Sequence, residues 1–258
     1  MKISAELFPV LELFNSNPQT TLQSLGKIGF TGIELYGNPT IDADKLRFMV
    51  EQSGLQITGY QVPWRLMQNG GLKDVIKYQK SLHNKHIIIA ALGGPWESGH
   101  KVSENTISTW KKHALRINEM CKELSMQGMD LTYHTHSYDF GEKVERKETS
   151  FEILKQNVLP MVNFEIDSGN CLEGGLYPQK EILKLSGRSP FVHCKPYSKA
   201  KRYEIKFDSS LDENDWSSII EASRISKTKW LVVEPESQSL GTSLEMMEDG
   251  FKCINKYI

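Results

Sequence analysis

Phe191-Val192-His193-Cys194-Lys195 starts as an apolar strand and ends in ionisable side chains. The same construction closes three other runs: Tyr133-His134-Thr135-His136, Phe164-Glu165-Ile166-Asp167 and Val232-Val233-Glu234-Pro235-Glu236. Strands of a parallel sheet are covered on both faces and should read as continuous apolar runs, so ionisable residues at their ends are out of place unless they do chemistry. Residues two apart on a strand share a face, so each of these pairs points the same way.

Outward from these runs, short apolar stretches alternate with helical periodicity along the whole chain. Ile3 to Phe8 precedes a helix ending near Gly29, and Gly32 to Tyr36 precedes one that Asp42 or Asp44 caps. Leu55 to Tyr60 is followed by a periodic stretch from Leu72 to Leu82, and His86 to Ala91 by the clearest helix. In that helix Ile107, Trp110, Ala114, Ile117, Cys121 and Leu124 recur at helical spacing. Asp130 to His134 leads to a helix whose Thr149 and Glu152 have capping-box spacing. Val162 to Asp167, Phe191 to Lys195 and Trp230 to Glu234 complete the strands, with helices beginning near Pro178, near Asp212 and at about Leu240.

These strand-then-helix units, eight of them in 258 residues, predict a single α/β domain over 1–258, a (β/α)8 TIM barrel. A doubly wound open sheet is the competing arrangement, but GxGxxG and GxxxxGK[ST] are both missing. A net charge of −1 with 24% charged residues gives no footprint for nucleic acid or an anionic membrane. The first residues lack the pattern of a signal peptide, so a cytoplasmic location is expected. The four cysteines form no CxxC pair and read as free thiols.

Active sites of such barrels lie at the carboxyl ends of the strands, which stand about 4.8 Å apart, so residues of strands five to eight can converge on one ion. A shell of His, Asp, His and Glu supplies nitrogen and hard oxygen donors and suits Mn²⁺, Co²⁺, Zn²⁺ or Mg²⁺. A single histidine at a strand end is more often a hydrogen-bonded structural residue, and a lone aspartate usually caps a helix. The reading therefore rests on the conjunction of the four strands. Glu234 is the hardest to dismiss, because a wholly apolar run precedes it and an unpaired buried carboxylate is costly.

Taken together, Gly32-Ile33-Glu34-Leu35-Tyr36-Gly37, the stretch Tyr133-His134-Thr135-His136-Ser137-Tyr138-Asp139-Phe140, Asp167-Ser168-Gly169-Asn170, Gly187-Arg188, Val192-His193-Cys194-Lys195 and Val233-Glu234-Pro235-Glu236 resemble the xylose-isomerase-like barrels. These are often labelled sugar phosphate isomerases/epimerases and include inosose dehydratases and ketose 3-epimerases. The resemblance implies that Asp167, His193 and Glu234 occupy three positions of a metal shell. The fourth, usually a glutamate ending strand five, falls on His134, as in a subgroup with a YHNH-like motif; His136 is the alternative. Other departures are Gln61 where many relatives have histidine, Pro196 where aspartate is common, and the lack of a glycine-glutamate-glycine turn before Asp215-Trp216.

The resemblance implies proton transfer next to a carbonyl of a sugar or polyol, with one divalent ion as Lewis acid. Glu234 then serves as ligand and base, with His136 or Lys195 as acid; a salt bridge is the other reading of Lys195. Glu34, at the end of strand two, is expected on the rim, hydrogen-bonding sugar hydroxyls, or else in a structural ion pair. Glu236 is a further substrate-binding candidate, and Trp64, Trp96 and Tyr60 are candidates for an apolar wall beneath a sugar ring. Arg65 and Arg188 are solitary and read as surface residues. A dehydratase uses the same shell. A non-catalytic sugar-binding barrel and an apurinic endonuclease are the other readings, the last needing more ligands and a basic face. A small-molecule partner is expected, with no nucleic acid or membrane, and homo-oligomerisation is left open.

Overall fold

The computed structural model describes residues 1–93, 104–185, 187–237 and 239–258. Eight parallel strands close a barrel: β1 (Lys2–Glu6), β2 (Gly32–Tyr36), β3 (Gln56–Val62), β4 (His86–Ile89), β5 (Asp130–His134), β6 (Asn163–Asp167), β7 (Phe191–Cys194) and β8 (Trp230–Val233). Their spatial order is their chain order, and β8 pairs back onto β1 through Lys2↔Trp230 to Ala5↔Val233. A short antiparallel ribbon, Lys143–Val144 with Glu148–Thr149, lies outside the barrel.

Local chemistry sets the helices and corrects several expected bounds. The helix expected after β1 is interrupted. A 3-10 turn (Phe8–Val10) and α1 (Leu11–Ser16) come first, then α2 (Pro18–Ile28) restarts where Asn17 accepts from the Thr20 amide at 3.1 Å and Pro18 opens the first turn. Helix α2 ends at Gly29 in a positive-φ conformation, as the sequence predicts. Asp42, not Asp44, caps α3 (Ala43–Gln52) through Lys45 N. Helices α4 (Leu72–Ser81) and α5 (Ile107–Met126) match their periodicity, the latter burying Trp110, Ala114, Ile117, Cys121 and Leu124.

A short helix α6 (Ser137–Gly141) follows β5 directly. The predicted capping box opens α7 (Ser150–Asn157), with Glu152 N 3.2 Å from Thr149 Oγ1 and Thr149 N 2.9 Å from Glu152 Oε2. Helices α8 (Ser168–Glu173) and α9 (Pro178–Leu185) follow β6. The helix expected near Asp212 is α10 (Trp216–Ile225), capped by Asp215. Asp212 is used instead by the preceding loop, where it accepts from Tyr197 N and Trp216 Nε1. The last helix, α11, spans Ser243–Asn255 because Thr242 caps it; the expected start at Leu240 and continuation to the end are not seen.

The core has two parts. Outward strand residues and the apolar faces of the helices form one large cluster that includes Ile33, Ile87, Leu131, Phe164 and Leu231. Phe191 and Trp230, the first residues of β7 and β8, form a second cluster with Val232, which precedes Glu234 by two residues. All four cysteines are buried and unpaired. Among the described residues no helix is long and apolar enough to cross a membrane.

Gly250 lets α11 lie against β8: a Cβ there would sit 2.5 Å from Val233 Cγ1 and 2.8 Å from the Phe207 ring. Gly250→Ala therefore overpacks this seam and should cost about 1–3 kcal/mol, read as a lower urea midpoint with unchanged slope.

Candidate metal site

Alternation along β5 to β8 turns both members of each ionisable pair inward, as their spacing predicts. His134, Glu165, Asp167, His193, Lys195 and Glu234 are each at most 5% exposed. One donor atom from each of His134, Asp167, His193 and Glu234 lies within 4.8 Å of the others, and Glu6, Glu34 and His193 form an adjoining group on the same criterion.

His193 is the centre. Its Nδ1 is 2.8 Å from Glu234 Oε2 and its Nε2 2.9 Å from Glu34 Oε1, with Glu165 Oε2 at 3.4 Å and Glu6 Oε2 at 3.7 Å. Burial alone would lower its pKa, but Glu165, Glu34 and Glu6 outweigh that and raise it well above the usual imidazole range. His134 Nδ1 is 2.8 Å from Glu165 Oε2, and burial followed by the charge of His193 lowers its pKa well below the usual value. Glu165 thus touches both imidazoles, from a layer one pleat below Asp167.

Asp167 is held rigid by Asn170, whose backbone and side-chain nitrogens donate to its two oxygens at 2.8 Å each. The Lys195 ammonium reaches Asp167 at 3.0 Å, Glu234 at 2.9 Å and Glu236 at 2.6 Å. Burial disfavours that charge, yet Asp167, Glu234 and Glu236 hold the lysine pKa well above its usual value. Glu234 shows the converse: burial would raise it, while Lys195 and His193 bring it well below the carboxylate range. Glu236 is part-exposed in the wall.

The donor set suits a divalent cation. Glu6, Glu34, Glu165, Asp167 and Glu234 bring five buried carboxylates around one ammonium and one raised imidazole. Glu6 Oε2, Glu34 Oε2 and Glu165 Oε1 are buried without a hydrogen-bond partner. Burial, then Glu34, pushes Glu165 up to about 8, and burial, with Glu234 adding to it, lifts Asp167 to about 6. Burial is the larger cause of both shifts, and a bound cation would lower both groups.

Glu34 is not on the rim where the sequence reading puts it. It lies two residues before the end of β2, fully buried, and shares the Gln61 amide with Glu6: Gln61 Nε2 is 2.9 Å from Glu34 Oε1 and 3.0 Å from Glu6 Oε1. Its ion-pair reading is what the structure shows. Trp64 is buried in the turn after β3 with its ring edge toward His113 of α5, 5.7 Å away, and Tyr60 faces Tyr78 of α4 at 6.1 Å. Neither lines the cavity above the barrel mouth, because both side chains leave β3 and its following turn on the helix side. Trp96 lies outside the described residues. Arg188 donates to the Val162 carbonyl at 2.9 Å and lies over Phe164, while Arg65 donates to Asn38 at 2.7 Å.

Above this layer opens a cavity of about 1040 Å³, lined by Glu6, Gln61, His134, His136, Lys195, Glu234 and Glu236 together with residues of the segment after β1. His136 follows β5 and stacks on Tyr138 at 5.4 Å; burial, then Lys195, lowers it to about 3, so it faces the cavity neutral. Its backbone amide donates to Asp139 at 2.9 Å, which fixes the turn. Sequence reasoning missed Glu6, Glu165 and the Phe8 wall. Glu165 was visible as the partner of Asp167 in an i, i+2 pair, whereas nothing in Glu6 alone marks it.

No protein-family model and no curated protein matches the sequence. Solved structures do. A sugar phosphate isomerase/epimerase from Parabacteroides distasonis ATCC 8503 is 18% identical, with a TM-score of 0.80 over 100% of this chain and 95% of that one. An L-ribulose 3-epimerase is 12% identical with a TM-score of 0.71 over 99% and 94%. A family 2 AP endonuclease from Brucella melitensis is 13% identical with a TM-score of 0.69 over 96% and 97%. With a closed barrel of eight parallel strands matched from end to end, the chain has the fold of the xylose isomerase-like TIM barrels.

Proposed function

We propose that the chain is a divalent-metal-dependent sugar or polyol isomerase/epimerase that moves a proton next to a carbonyl. The observation that carries this is the buried group His134, Asp167, His193 and Glu234, its donor atoms within 4.8 Å of one another at the floor of an open cavity. These four side chains would hold the ion, with His134 rather than His136 as the fourth because it alone of the two belongs to that group. When bound, the ion supplies Lewis acidity toward substrate oxygens next to the reacting carbon.

The protein's own residues supply the rest. Glu234 is kept ionised by Lys195 and His193 and takes the proton. Lys195, held charged at the cavity floor by Asp167, Glu234 and Glu236, is placed to return it, and the neutral His136 beside it offers a hydrogen bond to a substrate oxygen. Glu236 accepts from a sugar hydroxyl at the wall. Glu34 and Glu165 hold the rings of His193 and His134 from below, the arrangement by which carboxylates orient histidine ligands.

Three outcomes test this reading. Purified without chelator, the protein should carry a stoichiometric divalent ion that Glu234→Gln loses, and excess Mn²⁺ or Co²⁺ should stabilise the wild type by about 2.7 kcal/mol at a hundredfold excess over Kd. Unchanged metal content in alanine variants of Asp167, His193 and Glu234 would place the site elsewhere. Glu34→Ala should weaken metal binding roughly 10–100-fold by titration calorimetry; an unchanged Kd removes its orienting role. In deuterated water with bound metal, a competent ketose or inosose should exchange the hydrogen next to its carbonyl, Glu234→Gln should abolish that exchange, and Lys195→Met should slow it. No exchange across a broad panel would leave a sugar-binding barrel, while loss of water from the product would indicate a dehydratase.

A further inference from the structure

The cavity is larger and more one-sided than a single sugar requires. Pockets of about 300–1,000 Å³ hold drug-sized ligands, and a monosaccharide is much smaller than these; this cavity measures about 1040 Å³. The ionisable residues occupy its floor. Its apolar lining comes from the segment after β1, Phe8, Leu11 and Leu13, with Tyr36 at the end of β2 and Met246 of α11. Phe8 is 45% exposed and Leu13 41% exposed. The Phe8 ring is fixed by the 3-10 turn that contains Pro9 and by an edge contact with Tyr36 at 5.2 Å. A fixed aromatic face open to a polar cavity is surface that gains from being covered.

The charges of the wall point the same way. Glu6, Glu12, Glu173, Glu234 and Glu236 line the cavity, and its cations Lys195 and Arg202 are both ion-paired, Lys195 to Asp167, Glu234 and Glu236 and Arg202 to Glu173. Tyr203 closes this side, its hydroxyl 2.7 Å from Glu173 and its ring under the Lys195 ammonium at 5.3 Å. A phosphate dianion placed here would face carboxylates and break those pairs. We propose that the substrate is a neutral glycoside bearing a ring ketone, whose sugar ring, with the carbonyl and the C–H beside it, lies on the polar floor and whose apolar or aromatic substituent lies against Phe8 and Leu13, in preference to a free or phosphorylated monosaccharide. This rests on the isomerase/epimerase reading for which carbon reacts, but the binding itself is separable from turnover.

The test is titration calorimetry of the Mn²⁺-loaded full chain with p-nitrophenyl α- and β-glycosides of glucose, galactose and xylose, the free sugars, and the 6-phosphates of glucose and galactose. At least one nitrophenyl glycoside should bind about tenfold or more tightly than its free sugar, and the phosphates more weakly than their parents. Phe8→Ser should remove most of that preference, and Phe8→Trp should keep it. The proposal is overturned if a 6-phosphate binds more tightly than its parent, or if no nitrophenyl glycoside gains over its sugar, whether because none binds or because a second copy of the chain covers the wall. These probes carry no carbonyl and report binding alone; exchange is read separately on the ring-oxidised keto form of the tightest-binding glycoside, and a keto-glycoside that binds but never exchanges deuterium sinks the isomerase reading alone.

Discussion

Everything at the mouth of this barrel follows from the cost of burying carboxylates. Glu6, Glu34, Glu165, Asp167 and Glu234 are each at most 5% exposed. Isolated charges in such surroundings cost several kcal/mol each even after relaxation, and the chain answers only part of that with the Lys195 ammonium and the His193 imidazole. The unanswered part appears as carboxyl groups pushed up in pKa and as carboxylate oxygens without a donor. A fold selected for stability alone would fill these positions with apolar residues of similar volume. The donor set they make together is one that a divalent cation fits.

Register brings these residues together. Adjacent strands pair so that Asp167 stands beside His193 and Val232 beside His193 on the other flank, which places residues from neighbouring strands in stacked layers. Glu34 and Glu165 lie in a layer below Asp167 and Glu234, so they touch the histidines from beneath and leave the upper side of the group to the cavity. Gln61 ties Glu6 to Glu34 with a single amide, a neutral donor in a region already crowded with charge. Sites are held to fractions of an ångström by such supports rather than by the ligand residues themselves.

The alternation of strands and helices, and the ionisable pairs ending four strands, were legible because period-2 side-chain alternation is a local rule. Asp167, His193, Glu234 and Lys195 could be placed inside from that rule alone. Glu34 could not be placed by depth: it sits two residues short of its strand end, and a one-pleat difference separates a rim residue from one locked against His193. Trp64 and Tyr60 were misplaced because large aromatics after a strand serve either the cavity or the helix layer. Which they serve depends on packing against α4 and α5, which no short stretch encodes. Phe8 escaped notice for a related reason. Its apolar neighbours extend the β1 run in sequence, whereas in space the strand stops at Glu6 and the chain turns over the cavity.

The histidine at the end of β5 also bears on the substrate. The resemblance to sugar isomerases implies a glutamate there, which with Asp167 and Glu234 would give a shell of three negative charges. His134, lowered in pKa by burial and by His193, puts an imidazole in place of a carboxylate, so the proposed shell has two carboxylates. Two carboxylates and a divalent ion balance, whereas three would leave a surplus for a cationic side chain to absorb. Lys195 ion-pairs both of those carboxylates, Asp167 at 3.0 Å and Glu234 at 2.9 Å, and reaches Glu236 at 2.6 Å on the cavity side. With Lys195 and Arg202 both ion-paired and five glutamates in its lining, the cavity surface favours the neutral ligand proposed above, held by hydroxyl contacts at the floor and apolar contact at Phe8.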